Sequence, residues 1–399
     1  MALPSNFLAS LTAPSVPEVI DWFLEKTKGN EKTGVGVWEW VKEITPVDLY
    51  CYLKARFGMP NGLQNVWRND DSDNLIHWEW CLFCPQGSIS ILGLNFRTEV
   101  WVSGDFDVED ADIFDLAKFI KEDFANYGRQ ISEVRKSLEL WTEFVNPYMR
   151  LRRSIETLQR ELDSLKLRPE TEAIPDITDV QSFSAEAWQT VATRYSKGLG
   201  ICFGIRSMLP IMAEAYVNLL LFVLMRPDVK NDDRLRENTI RQPIDVRIKS
   251  LHMTCVGFER KPDYSHDACK AYHTLVNERN DLLHGNVVPE KLKFNEVHFS
   301  GKVPIFKSYR SLWERAVGVE IGAVGLHRLQ HEMETVDNLI GYLKSCLNDE
   351  MRGSIEIISN KRELGINQKN GRVGILFPDH LVDIRAAYAS GKSPVRRAV

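Results

Sequence analysis

The most apolar stretch of the chain runs from Met208 to Met225 and contains Pro210, Glu214 and Asn218. Its length lies at the lower edge of what can span a bilayer. Because charged side chains are costly at bilayer depth, the stretch favours the buried central helix of a bundle over a membrane span. The chain is therefore expected to fold around helices and to make no membrane contact.

The C-terminal half contains the segments expected to form that bundle, over residues 185–350. The predicted helices are Ala185–Tyr195, Leu209–Met225, Asp232–Cys255 with a break or kink at Pro243, His266–His284 and Tyr309–Leu347. Residues 351–399 are expected to form a hairpin and a mobile tail. Strands are predicted at 354–358 and 372–377, and Asn370-Gly371 is a hairpin-turn signal.

The segment Asn277–Gly285 concentrates groups that can do chemistry. Arg279 carries a permanent cation that can grip two phosphate oxygens. His284 can give or take a proton near neutrality. On a helix, Asn280 and His284 are i,i+4 neighbours, whereas Arg279 lies further round and must bend toward the imidazole or meet it across a dimer axis. Gly285 is typical of a helix C-cap, which would place His284 at the negative end of the helix dipole and favour its protonated form.

These residues resemble the signature of the HEPN superfamily, an Arg and a His separated by four to six residues with Asn commonly after the Arg. Here the motif is Arg279-Asn280-Asp281-Leu282-Leu283-His284, and the similarity extends to an acidic residue, Glu214, on an apolar helix upstream. It covers roughly residues 200–350. The expected fold class is mainly α: a HEPN-like helical bundle, an N-terminal α+β domain with a small antiparallel sheet, and a long connecting helix.

The resemblance implies a metal-independent endoribonuclease that acts as a homodimer with a composite cleft. Such cleavage uses the substrate's own 2′-OH, so it needs a base, an acid and a cation for the charge on phosphorus. Two copies of Arg279 and His284 would supply these groups, with no metal or other cofactor. Asn280 would bind a phosphate or hold His284, and Glu214 could orient Arg279. Members commonly serve as toxins or in antiviral defence, which implies RNA as substrate and an antitoxin or regulatory protein as a further partner.

An alternative interpretation needs no catalysis. His284 would then cap helix carbonyls, and Arg279 would pair with Glu278, Glu214 or Asp281. The bundle would be a module that dimerises and binds nucleic acid or a protein. The net charge of −5 provides no overall basic field to recruit RNA. Any RNA contact must therefore come from a local cluster.

Residues 1–105 are predicted to form the small α+β domain. Helices are expected over Val16–Lys28 and from Pro46 through Leu53, ending near Gly58. Alternating apolar residues predict strands at 75–83, 88–94 and 98–102, joined as an antiparallel meander. Tryptophans cluster in this half at positions 38, 40, 67, 78, 80 and 101. They form either a core of large aromatics or a platform for a flat ligand, and the sequence does not decide between them.

Residues 106–167 are predicted to form the long connecting helix. Apolar residues repeat at steps of three and four from Ile131 to Tyr148 and again from Leu151 to Leu165, with a kink expected near Pro147. This seam predicts either an intermolecular coiled coil or a helix lying on its own domain. The acidic, proline-bearing residues 168–184 are assigned to a linker.

Three further sequence patterns are weaker evidence for a functional site. Cys81-Leu82-Phe83-Cys84 is a lone CxxC without a second ligand pair, so ordinary buried thiols are expected. His327 and His331 lack the Glu of a zinc-binding HExxH helix. Basic residues on the segment before the motif form either a phosphate-tracking surface or a salt-bridged one; they are Arg234, Arg236, Arg241, Arg247 and Lys249. The seven scattered cysteines favour a reducing compartment such as the cytoplasm.

Overall fold

The computed structural model describes residues 7–28, 34–63, 76–94, 97–106, 110–169, 184–285, 296–306, 317–377 and 396–397. The first part of the chain contains α1 (Phe7–Ser10), α2 (Val16–Lys28), β1 (Gly34–Trp40), α3 (Pro46–Phe57), β2 (Ile76–Cys84), β3 (Gly87–Leu94), β4 (Thr98–Gly104), α4 (Asp110–Asp123), a 3-10 turn (Phe124–Tyr127), α5 (Gly128–Ser137), β5 (Trp141–Val145) and α6 (Pro147–Ser164).

The remainder is again mostly helical. It contains α7 (Ala185–Leu224), α8 (Pro227–Lys230), α9 (Asp233–Arg241), α10 (Ile244–Thr254), α11 (Asp267–His284), β6 (Val297–Ser300), β7 (Val303–Phe306), α12 (Val319–Val324), a 3-10 turn (Leu326–Arg328), α13 (Leu329–Ser345), α14 (Asp349–Ser359), β8 (Glu363–Asn367), β9 (Val373–Gly374) and β10 (Arg396–Arg397). The fold is thus mainly α with a small antiparallel sheet in the N-terminal part, as predicted. The chain folds into two compact units, residues 1–144 with 363–399, and residues 145–362.

The first unit is built on a five-stranded sheet in the order β10-β1-β4-β3-β2. The predicted meander β2-β3-β4 is confirmed, with antiparallel pairing throughout. Strand β1, which was not predicted, pairs antiparallel with β4. Helices α3 and α4 supply residues such as Tyr52 and Ile113 to one hydrophobic core with the sheet. Helix α3 starts at Pro46 and ends at Gly58, as its sequence signals predict, and the Thr45 side chain caps its first turn.

The tryptophans of this sheet belong mainly to the core. Trp38, Trp40 and Trp80 are buried, and the half-buried Trp78 packs against the same cluster. Their burial supports the core interpretation for these four rings. Trp101 differs, because 40% of it is exposed on β4. Trp67 lies outside the described residues.

The prediction of one long connecting helix over residues 106–167 is wrong. The segment is divided into α4, a 3-10 turn, α5, the strand β5 and α6. Asn146 ends the strand and caps α6, because its side chain accepts hydrogen bonds from the backbone N–H groups of Tyr148 and Met149. The apolar steps before Pro147 therefore do not form one helical face. The second half of the seam is helical and packs within its own unit, where Leu162 and Leu165 face Gly198 on α7.

The second unit is organised around α7, a single helix of 40 residues. Two separate helices were predicted here, and that prediction is wrong because the helix continues through Pro210. By length and composition α7 could cross a membrane, but 61% of its most apolar window is buried inside the unit. It is thus the central helix that the apolar run predicts. Pro243 separates α9 from α10, so the predicted break is confirmed.

Two predictions near the C-terminus need correction. The strand expected at 354–358 is helix α14, which Asn348 caps by accepting from the N–H of Met351. The continuous helix predicted to Leu347 is interrupted by Gly325, whose φ is +72°. The turn at Asn370-Gly371 is confirmed, since Gly371 donates to the Asn367 carbonyl and β8 pairs with β9.

Candidate functional site

Helix α11 presents the motif, and its two ends form as predicted. His266 caps the start of the helix by accepting a hydrogen bond from the N–H of Ala268. Gly285 ends it with a left-handed φ of +61°, and its N–H bonds to the Asp281 carbonyl. The buried residues Cys269, Tyr272 and Leu275 fix the helix to the core. The C-terminal turn that carries the motif lies beyond this buried stripe.

The motif side chains are accessible to different degrees. Arg279 and Asn280 are half-buried, whereas His284 is exposed. Leu283, beside the imidazole, is 43% exposed. Arg279 and His284 are separated by about 140° around the helix axis and by about 7.5 Å along it. One helix therefore does not bring the guanidinium and the imidazole together by itself.

The carboxylate of Glu278, next to Arg279 in the chain, interacts with two other arginines. Its carboxylate accepts a hydrogen bond from Arg328 at 2.6 Å and lies 3.7 Å from the guanidinium of Arg206. Arg206 in turn forms a bidentate pair with Glu332, and each of these two side chains is only 6% exposed. This network ties α7, α11 and α13 together directly behind the motif.

Glu214 is likewise engaged by an arginine, but not by Arg279. The buried Arg247 of α10 donates to the Glu214 carboxylate and to the side-chain oxygen of Asn218. Within the described residues, Glu214 therefore makes no hydrogen bond to Arg279, as its predicted orienting role would require. The sequence did not identify Arg247 as the partner of Glu214, because Arg247 is one of several basic residues on the segment before the motif.

Arg279 differs from Arg328 and Arg247, which bind Glu278 and Glu214. Its Nε atom is buried without a hydrogen-bond acceptor, and none of the described carboxylates forms an ion pair with it. Burial raises the pKa of Tyr272, an effect that the charge of Glu214 strengthens and the charges of Arg247 and Arg279 oppose. Glu214, Arg247 and Arg279 therefore all act on one phenol. The Tyr272 hydroxyl donates to the Pro210 carbonyl.

Three of the four remaining basic residues before the motif lie in or near ion pairs on the surface, and only Arg234 has no described carboxylate partner. Arg236 pairs with Asp233, and Lys249 pairs with Asp245. Arg241 lies 3.7 Å from the carboxylate of Glu237. These exposed pairs favour the salt-bridged interpretation over a row of free cations for phosphates.

The other sequence patterns do not contribute a reactive site. Burial raises the pKa of the Cys81 thiol to about 12, and it raises the pKa of Cys84 as well. Both are free thiols on β2; Cys81 is buried, as the sequence predicts, whereas Cys84 is half-buried. His327 lies in a 3-10 turn and His331 in α13. Across the described ranges, no group of three or more His, Cys, Asp or Glu side chains is placed to hold a metal ion.

Comparisons with protein-family models, with curated proteins and with solved structures found no match to this chain.

Proposed function

We propose that the protein is a metal-independent endoribonuclease of the HEPN type, acting through Arg279 and His284 in a dimeric cleft. The proposal rests on one observation: Arg279 has no carboxylate partner among the described residues. The neighbouring carboxylates Glu278 and Glu214 bind Arg328 and Arg247 instead, and the Arg279 Nε is buried without an acceptor. A guanidinium left without a carboxylate partner is suited to an anionic ligand, and a phosphate accepts two of its hydrogen bonds.

The chemistry divides among three side chains. Arg279 binds the scissile phosphate and stabilises the charge that develops there. The exposed His284 removes the proton of the 2′-OH or protonates the leaving 5′-oxygen. Asn280 lies one turn before His284 on the same helical face, where it binds a phosphate oxygen or orients the imidazole. Glu214 acts on this region only through Arg247 and its own charge.

A second copy of the chain completes the site in this proposal. One His284 cannot serve as base and acid in the same step, and Arg279 faces a different side of the helix. Symmetric pairing of the C-terminal turns of α11 would provide two imidazoles and two guanidiniums. The half-exposed Leu283 beside His284 is an apolar residue that such pairing would cover. A role in toxicity or antiviral defence in the cytoplasm, with an antitoxin or regulatory partner, follows from the resemblance.

The competing function is a non-catalytic module with the same dimer surface. The exposed Leu283 fits such a module equally well, because burying it needs no chemistry. In that case the bundle binds RNA or a protein without cutting it.

The decisive experiment measures RNA cleavage by the purified protein with a chelator present. His284→Ala and Arg279→Ala should each reduce the rate by at least about a hundredfold. The matched controls are His273→Ala on an exposed turn of the same helix and Arg241→Ala on the salt-bridged surface. They should retain wild-type activity. Equal RNA degradation by the wild type and by both motif variants would refute the enzymatic proposal, and binding without cleavage would establish the module.

A further inference from the structure

A groove of about 820 Å³ opens in the second unit between the end of α6 and the beginning of α13. Its lining comes from α6, the residues that follow it up to Pro169, α12, the 3-10 turn Leu326–Arg328 and α13. None of the motif residues from Arg279 to His284 lines it. The volume lies in the range of about 300–1,000 Å³ that is typical of binding sites for small molecules. The groove is therefore large enough for a ligand and separate from the motif.

The walls of this groove are mainly apolar. Leu162 and Leu167 pack over Gly198 of α7, where an added Cβ would lie 2.4 Å from Cδ1 of Leu167. Because Gly198 has no side chain, these leucines can lie close to α7. Six apolar side chains line the groove: Leu162, Leu167, Ile321, Leu326, Leu329 and Met333. Leu162 and Leu329 are buried, whereas the other four are half-buried and leave apolar surface that a ligand would cover.

Two basic side chains line the same groove. Lys166 and Arg168 are both exposed, and within the described ranges no carboxylate forms an ion pair with either of them. Glu161, near the end of α6, binds Lys197 instead. Asp163 is the one carboxylate of the lining. The lining therefore has one positive charge in excess, in addition to the imidazole of His327, which can donate a hydrogen bond to an anion.

The backbone of Lys166 is unusual for its residue type. Its φ is +49°, and no other non-glycine residue in the described part of the chain has a positive φ. Its N–H donates to the Asp163 carbonyl at 3.1 Å, which ends α6 at a position where glycine is the common residue. Glycine there would avoid the backbone strain, but it would remove an ammonium group from the groove.

We propose that this groove binds an amphipathic monoanion, an apolar chain that ends in a carboxylate, as in a fatty acid. The apolar walls cover the chain, and Arg168 donates two parallel hydrogen bonds to the carboxylate. Lys166 adds a second positive charge against that of Asp163. A single carboxylate balances the excess charge of the lining, whereas a phosphate monoester would bring a charge of about −1.5 to −2. The site does not depend on the proposed ribonuclease function.

The test is calorimetric titration of the full-length protein with dodecanoate, below the concentration at which it forms micelles. Dodecyltrimethylammonium has the same chain with the opposite charge, and acetate has the carboxylate without the chain. Dodecanoate should bind at a single saturable site. Each of the two control probes should bind at least about tenfold more weakly, because each lacks one of the two contacts.

Two variants test the charge and the apolar wall separately. Arg168→Gln should weaken dodecanoate binding by at least about tenfold, whereas Arg160→Gln, which removes an exposed cation of α6 outside the groove, should leave the affinity unchanged. Met333→Trp places a larger side chain in the groove and should weaken binding without any change of charge. Circular dichroism verifies the fold of each variant. Absence of saturable dodecanoate binding, equal binding of dodecyltrimethylammonium, or unchanged affinity in folded Arg168→Gln or folded Met333→Trp would overturn the proposal.

Discussion

Arg206 and Glu332 form a buried, two-point ion pair that joins the central helix α7 to α13. The Nε of Arg206 donates to Oε2 of Glu332 at 2.7 Å, and Nη2 donates to Oε1. Arg206 also donates to the carbonyl of Val324, at the end of α12. Glu278 of α11 lies within 3.7 Å of the same guanidinium. One arginine thus links four helices, including the one that carries the motif.

Removal of one partner of this pair should be strongly destabilising. Arg206→Met leaves the buried Glu332 with only the half-exposed guanidinium of Arg328, 3.6 Å away, and we expect a loss of about 3 kcal/mol in the free energy of unfolding. The double variant Arg206→Met/Glu332→Met should recover most of that loss, because it removes both charges. Urea unfolding measures both values. If Arg206→Met unfolds at the same urea concentration as the exposed-pair control Arg241→Ala, the pair is not structural.

The left-handed turn at Gly325 should also be sensitive to substitution. Its φ is +72°, and an added Cβ would lie 2.6 Å from Nη1 of Arg206. We expect Gly325→Ala to cost about 1–3 kcal/mol, since it adds backbone strain and disturbs the guanidinium. Gly322→Ala is the matched control, because an added Cβ there meets no atom within 4 Å. The control should be neutral or stabilising by up to about 1 kcal/mol. Equal thermal stability of the two variants would contradict this account of the turn.

Local sequence signals predicted the features that depend on neighbouring residues. The end of α3 near Gly58, the cap at Gly285, the break at Pro243 and the turn at Gly371 were all predicted, because each depends on a few adjacent side chains. Apolar spacing was less reliable. The seam beginning at Ile131 satisfied a helical repeat, yet β5 interrupts it.

Long-range ion pairs could not be predicted from spacing. Arg247 and Glu214 are 33 residues apart, and Arg206 and Glu332 are 126 apart. The pairing of arginines with carboxylates depends on which helices pack together, and composition does not determine that. The sequence therefore identified Arg279, Asn280 and His284 as candidates but could not show that Glu214 would bind a different arginine.

The first unit contains a carboxylate whose ionisation stabilises the fold. Burial alone would raise the pKa of Asp123, but hydrogen bonds from Asn126 and Tyr52 and the charge of Arg56 outweigh it and lower the pKa below 3.8. A lowered folded-state pKa contributes stability above the unfolded-state value, and that stability is lost as pH falls through the folded-state value.

Asp123→Asn should therefore be less stable than wild type by about 1 kcal/mol near neutral pH. The difference in free energy of unfolding between wild type and Asp123→Asn should become smaller as the pH falls below the ordinary aspartate pKa of 3.8. In that range wild type loses the charge that the variant lacks at every pH. Urea unfolding of both proteins at about pH 7 and about pH 3 measures this. Glu122→Gln, the exposed neighbour, is the control. If the stability difference between wild type and Asp123→Asn stays constant or grows in acid, the carboxylate is not ionised in the folded protein.

The geometry of α11 leads to a last prediction about the proposed ribonuclease site. Arg279 and His284 project about 140° apart on one helix, so a composite site should need groups from two chains. Wild-type and inactive His284→Ala chains, unfolded and refolded together in equal amounts, should pair at random, so that about a quarter of the dimers keep two imidazoles. Because the proposed cleft needs one His284 as base and the other as acid, only these dimers should cut, and activity should fall to about a quarter of that of the same total amount of refolded wild type. Each protein refolded alone is the control, with dimer formation verified by gel filtration. If activity falls only to about half, in proportion to the wild-type chains, each chain cuts without its partner's imidazole and the shared cleft is wrong.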